Sequence, residues 1–337
     1  MFIPNNFTLS ANARIINGSP AALQEFPYAV FIYSEVSRSA EVCTGSLIAD
    51  NVVVTAAHCL LYNLSYTFSP SQMLVSAGSV SNIRNNYDRY KVSKVIPHPQ
   101  FSKASLRNDI GLIILSSPVP SSKATPATIY NESVKDNMNV IAAGWGVTSN
   151  DEDATSASVL NKVPLVTSSS ATCKTLNPFW SSNSGSSICT LNVSGQDTCY
   201  GDSGGPLAYP VNGANYLVGL TSLGNAPGSE NSDDPPICGA EGGAGYYTRV
   251  AYYLDWIVQV TGLTKDQLLT PGSNATSTAD SSSDSSGISS RLISDSTSSN
   301  RSTSSKSDTS FSPKTAHMAK YFVFVPVITQ ILASLLM

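Results

Sequence analysis

Charge is scarce in this chain: 19 Lys and Arg against 23 Asp and Glu make up 12% of 337 residues, for a net charge of −4. No basic stripe breaks the near-balance, which argues against a nucleic-acid partner. Histidine is scarcer still, with three copies. No metal-ligand cluster and no phosphate-cradling loop is visible, so neither a metal nor another cofactor is implied. Helical periodicity is missing from the body until its end, where Val250, Leu254, Ile257 and Val258 fall on one face. Met1–Arg14 lacks the apolar stretch of about 7–15 residues that an export signal carries. From about 271 to 317 the chain holds too few apolar groups to offset its conformational entropy.

What remains is a body of short strands. Tyr28–Tyr33, Val52–Ala56, Ile110–Leu115 and Val140–Ala143 are β-branched or apolar runs separated by Gly, Pro, Asn and Ser clusters. Length alone would allow two domains, but all-β bodies of about 200–250 residues often form one. Six cysteines lie between positions 43 and 238, as suits disulfides in an oxidising compartment, and 15 pairings are open to them. Seven Asn-x-Ser/Thr triplets, at Asn6, Asn17, Asn63, Asn131, Asn192, Asn274 and Asn300, add weak support for secretion.

The Ser/Thr-rich stretch 263–310 is expected to be a disordered, O-glycosylated stalk. It leads to 311–337, which ends in the 17 apolar-rich residues Tyr321–Met337. Small polar residues, a spacer and an apolar end match a GPI-attachment signal with its site near Ser307–Ser310; a short tail-end membrane helix is the alternative. Disulfides and a lipid anchor both require the secretory pathway, so a missing or mispredicted start is expected, the alternative being a protein that is not secreted.

Three segments carry chemistry. Gly201-Asp202-Ser203-Gly204-Gly205-Pro206 surrounds a serine with glycines that let the main chain turn sharply and aim N–H groups where the hydroxyl points. A serine is a weak nucleophile alone and needs a base and an orienting acid. His317 lies in the low-complexity tail, and His98 sits between Pro97 and Pro99 in an expected solvated loop. His58, closing the run Val52-Val53-Val54-Thr55-Ala56-Ala57, is therefore the candidate base. Asp109 opens the apolar run Ile110–Leu115, where an aspartate is costly unless it is paired, for instance with an imidazole N–H.

Together these segments, in the order His58, Asp109, Ser203, resemble the trypsin/chymotrypsin family of serine proteases. Arg14-Ile15-Ile16-Asn17-Gly18 resembles its activation site and Gly144-Trp145-Gly146 its mid-chain turn. Tyr247-Thr248-Arg249-Val250 followed by Tyr253–Ile257 resembles its C-terminal helix. The resemblance covers about residues 15–262. It implies an all-β fold of two six-stranded antiparallel barrels with a closing helix, preceded by a propeptide over 1–14. It implies the pairs Cys43–Cys59, Cys173–Cys189 and Cys199–Cys238. It also implies Ser203 as nucleophile, His58 as base and Asp109 as its orienting acid, with the N–H groups of Gly201 and Ser203 as oxyanion hole and Ser222 supporting the aspartate.

Asp197, six residues before Ser203, falls at the family's pocket floor, where a carboxylate favours substrate Arg or Lys. Gly224 and Gly245 fall on the pocket walls. Cleavage after Arg14 would free an Ile15 α-amino group to pair with Asp202. The implied partners are proteins or peptides with Arg or Lys at the cut, protease inhibitors, and a membrane or cell wall reached through the C-terminal anchor. Three departures stand out: Leu223 for the usual aromatic, Gly111 for the usual alanine, and a long segment 225–237 carrying Glu230, Asp233 and Asp234. Two rival readings are a non-catalytic surface binding module on the same scaffold and a glycoprotein whose stalk carries the main role.

Overall fold

The computed structural model describes residues 15–37, 39–151, 153–228 and 237–270. The propeptide, the greater part of the stalk, the C-terminal apolar segment, the sequons at Asn6, Asn274 and Asn300, and the three acids of the 225–237 segment lie outside those residues.

Among the described residues, fifteen strands carry the fold. The first barrel is closed, in the order β2 (Ala29–Val36), β3 (Ser39–Ala49), β4 (Val52–Thr55), β9 (Gly111–Leu115), β8 (Arg89–Pro97) and β7 (Met73–Ser76). A small hairpin of β5 (Leu61–Tyr62) and β6 (Tyr66–Thr67) follows the His58 turn. Three of the four expected apolar runs become β2, β4 and β9, and inward residues of the barrel, among them Val30, Ile32, Leu47, Val53 and Ile113, join one core. Gly45 is required there: a Cβ on it would press into Val53 and Ile32 from inside the barrel.

The second sheet orders β1 (Ser19–Pro20), β11 (Asn161–Val166), β10 (Asn139–Gly144), β13 (Pro206–Val211), β14 (Ala214–Asn225), β15 (Ala244–Arg249) and β12 (Ser187–Leu191). An antiparallel bridge between Thr167 and Thr190 joins the β11 and β12 sides, so six strands close on themselves and the two-residue β1 is an added edge. Alternation is clean on β11: Asn161, Val163 and Leu165 face in while Lys162, Pro164 and Val166 face out. Its core gathers Val140, Val163, Leu207, Val218 and Tyr247 around the side chain of Ile15.

A short helix, α1 (Ala171–Leu176), precedes β12. The closing helix α2 (Leu254–Thr261) buries Leu254 and Ile257, continues a 3-10 turn over Val250–Tyr253, and stops at Gly262, whose φ of 76° suits a left-handed cap. The chain then departs from expectation. Residues 263–270, expected to open the stalk, instead form α3 (Lys265–Leu269) against the body, with Leu268 fully buried and its carbonyl accepting from the Ile129 N–H. The physical reason is a capping box: Gln267 N–H donates to Thr264 Oγ1, and the Gln267 side chain accepts from the Thr264 N–H.

Candidate active site

Register brings base and acid together. Strands β4 and β9 pair antiparallel with Thr55 opposite Gly111, so His58, just after β4, and Asp109, just before β9, leave the ladder at the same end. His58 begins the 3-10 turn after β4 and is buried. Its Nδ1 lies 2.8 Å from Asp109 Oδ2, and its backbone N–H donates to Oδ1 at 3.0 Å. Ser222 is the extra residue of a β-bulge between Thr221 and Leu223 on β14, a device that re-aims a side chain. Its Oγ donates to Asp109 Oδ2 at 2.6 Å. The Thr248 hydroxyl on β15 donates to the Asp109 carbonyl at 2.8 Å. The Asp109 loop of the first barrel is thus seated on the second. Gly111 fits tightly under Leu60, which a Cβ at that position would displace.

Burial alone pulls the His58 imidazolium down, yet the charge and hydrogen bond of Asp109, helped by Glu41, hold its pKa above the ordinary value. A carboxylate against Nδ1 fixes the tautomer with that proton on Nδ1, leaving Nε2 as acceptor toward solvent and substrate.

Ser203 is half-buried at the turn into β13. Its carbonyl accepts from the Thr44 N–H at 2.9 Å and lies 3.5 Å from Cys59 Sγ, next in sequence to His58. Gly204 has a φ of 74°, and a side chain there would collide with Thr55. These contacts bring the serine against the histidine turn. The Ser203 hydroxyl itself makes no hydrogen bond among the described residues. Nor do the N–H groups of Gly201 and Ser203, which leaves two amide donors free on the same turn. Gly201, with φ of 98°, packs on Gly146, and its carbonyl accepts from Thr44 Oγ1 at 3.0 Å.

Asp202 explains the Gly144-Trp145-Gly146 segment. Both glycines lie so close to its carboxylate that a Cβ on either would overlap it. Oδ1 accepts from Gly146 N–H and Oδ2 from Cys199 N–H, each at 2.8 Å. No cation pairs with it among the described residues, and full burial pushes its carboxyl up to about 7 despite those two bonds. Residues 15–17 pack on the segment that leads to Asp202. Ile15 is buried, the Ile16 carbonyl accepts from the Asp197 N–H, and Asn17 Nδ2 donates to the Ser194 carbonyl.

Asp197 is 4% exposed. Burial raises its carboxyl to about 6, opposed by bonds from Gly239 N–H, Thr198 N–H and Asn192 Nδ2 at 2.8–3.0 Å. Gly224 borders it, since a Cβ there would stand 3.9 Å from Asp197 Oδ2. Gly245 faces Thr190 and the Tyr247 hydroxyl instead. Beside Ser222 an open cleft continues along Leu106, Asn177, Trp180, Leu223 and Tyr253, with Leu223 packed on the cluster that holds Trp180.

Sequence reasoning missed Thr44 and Thr248, whose partners Gly201 and Asp109 are distant in sequence, and Asn192, which reaches Asp197 five residues on. Asn192 stands in a glycosylation triplet, but its amide nitrogen donates to Asp197 and to the Ala240 carbonyl. A glycan on it or on Asn17 would break an internal bond, whereas Asn63 and Asn131 are exposed. His98 also departs from expectation. Rather than sitting free in solvent, it is half-buried, edge-on to Tyr253 and tilted against Trp256, with ring centroids 5.4 and 4.7 Å away. The disulfides are Cys43–Cys59, Cys173–Cys189 and Cys199–Cys238, the pairs the resemblance implies.

The Trypsin family matches residues 15–257. Trypsin-1 of Astacus astacus is 33% identical over 249 residues, 72% of this chain and 98% of that protein. The clotting factor G beta subunit of Tachypleus tridentatus is 34% identical, over 74% of this chain and 80% of its own length. Trypsin eta of Drosophila melanogaster is 31% identical, over 77% and 94%. A closed β-barrel pair with a serine turn clamped against a His–Asp pair is the architecture of a serine-type endopeptidase. This chain belongs to the trypsin family of such enzymes. Proteins or peptides are its class of substrate.

Proposed function

We propose that this protein is an extracellular endopeptidase that cuts after Arg or Lys by an acyl-enzyme mechanism and is switched on by cleavage after Arg14. In this reading Ser203 Oγ attacks the scissile carbonyl as His58 Nε2 takes its proton, and His58 then passes that proton to the leaving amine. Water repeats the sequence to release the acid. Asp109 keeps the ring in the required tautomer and stabilises the imidazolium. The free N–H groups of Gly201 and Ser203 receive the oxyanion, about 3–4 kcal/mol for each donor. Three disulfides support an oxidising, extracellular setting.

The observation that carries the specificity is Asp197, a buried carboxylate bordered by Gly224 and lacking a cation among the described residues. A long basic side chain entering beside it would supply the missing charge. The test is a peptide library digested by the activated enzyme and by Asp197→Ser. Cleavage after Arg and Lys in the first, and loss of that preference in the second, is expected. Cutting mainly after Phe or Leu by the unsubstituted enzyme would refute the assignment.

A further inference from the structure

Another acid without a cation among the described residues lies on the first barrel, near the histidine turn. Glu41 is on β3, two residues before Cys43 and so on the same strand face. The Cys43 disulfide ends at Cys59, which follows His58 directly. Glu41 is half-buried, and among the described residues no hydrogen bond or ion pair reaches its carboxylate. Burial pushes its carboxyl up to about 7, and only the charge of His58 acts against that. Each of the two groups feels the other. The nearest acid on the adjoining strand, Glu35, is already bonded to the Tyr33 hydroxyl at 2.7 Å.

Direction follows from the chemistry. His58 delivers its proton to the leaving amine, so the residues after the cut bond must exit past the imidazole. Asp197, with its neighbours Gly224 and Gly239, belongs to the second barrel. Glu41 belongs to the first, on the strand whose Thr44 N–H holds the Ser203 carbonyl. The two carboxylates therefore come from opposite barrels, Glu41 on the strand that holds the Ser203 carbonyl and close enough to His58 to act on its charge. Resting on the protease reading above, we infer that Glu41 is a specificity-determining residue that selects Lys or Arg on the leaving-group side of the scissile bond. A cation there would neutralise a carboxylate that burial otherwise penalises.

The test uses internally quenched peptides that share Arg before the cut and differ only in Lys or Gln at the first or second residue after it. Comparing kcat/KM within each enzyme cancels any general loss of activity, and fluorophosphonate titration counts the active sites. The unsubstituted enzyme should favour Lys by about fivefold. Glu41→Gln should bring the ratio near one, and Glu41→Arg should invert it against a Glu-containing peptide. If Glu41→Arg does not fold, Glu41→Gln decides alone. No Lys preference in the unsubstituted enzyme, a preference that survives Glu41→Gln, or an equal loss on both peptides overturns the assignment. Failure of the fluorophosphonate to label the unsubstituted enzyme would instead strike the protease reading, and this one with it.

Discussion

The Asp109 carboxylate accepts three hydrogen bonds in a residue only 1% exposed, and replacing it would disturb all three together. Asp109→Asn puts a donor where the Nδ1 proton points and favours the wrong tautomer, so kcat should fall by about 10⁴-fold. The same change should move the acid limb of kcat/KM. His58 must be neutral to accept a proton, so activity is gained as pH rises through its pKa. Asp109 holds that pKa above the ordinary imidazole value, so the unsubstituted limb should lie above about 6.5 and drop in the variant. A limb that stays in place would show that Asp109 does not set the charge of the ring. At this scale much was legible in sequence: an aspartate opening an apolar run needs a partner, and few histidines were on offer. Glu41 and Thr44 gave no such sign, because each acts on a residue that only the folded chain brings near.

At the scale of elements, the proposed activation segment packs on the strands and loop that lead to Asp202. Ile15 fills the second core, Ile16 bridges to Asp197, and Asp202 sits between two glycines without a cation among the described residues. Cleavage after Arg14 would turn the Ile15 nitrogen from an amide into an ammonium able to meet that carboxylate. Arg14→Gln should therefore leave the enzyme inactive, and full activity of that uncleaved variant would refute the switch. The uncleaved form also has a signature in pH. An acid whose folded pKa is raised, here to about 7, stays protonated in the fold while the unfolded chain ionises near 4. Its stability is therefore complete at low pH and declines as pH climbs from about 4 to 7. Asp202→Asn in the Arg14→Gln background should flatten that decline in thermal melts. The Gly144-Trp145-Gly146 motif was recognisable in sequence, but its reason, room for this carboxylate, was not. Helix α3 escaped notice although Thr264-Lys265-Asp266-Gln267 spells a capping box, because its anchor on Ile129 is distant in the chain.

Over the whole molecule, each barrel alone supplies an incomplete set: the first brings His58, Asp109 and Glu41, the second Ser203, Ser222, Thr248 and Asp197. Strand content was readable from β-branched runs and turn residues, but barrel closure depends on pairings such as β2 with β7 and the Thr167–Thr190 bridge. Periodicity carries no such information, and family resemblance had to supply the architecture. The central claim is that docking the two barrels makes one serine reactive. Treating the Arg14-cleaved protein with a fluorophosphonate probe and mapping the adduct by mass spectrometry tests this most directly. The account predicts a single adduct on Ser203 that disappears in His58→Ala. A folded, disulfide-bonded protein that takes no label, or takes it on another serine, would contradict it.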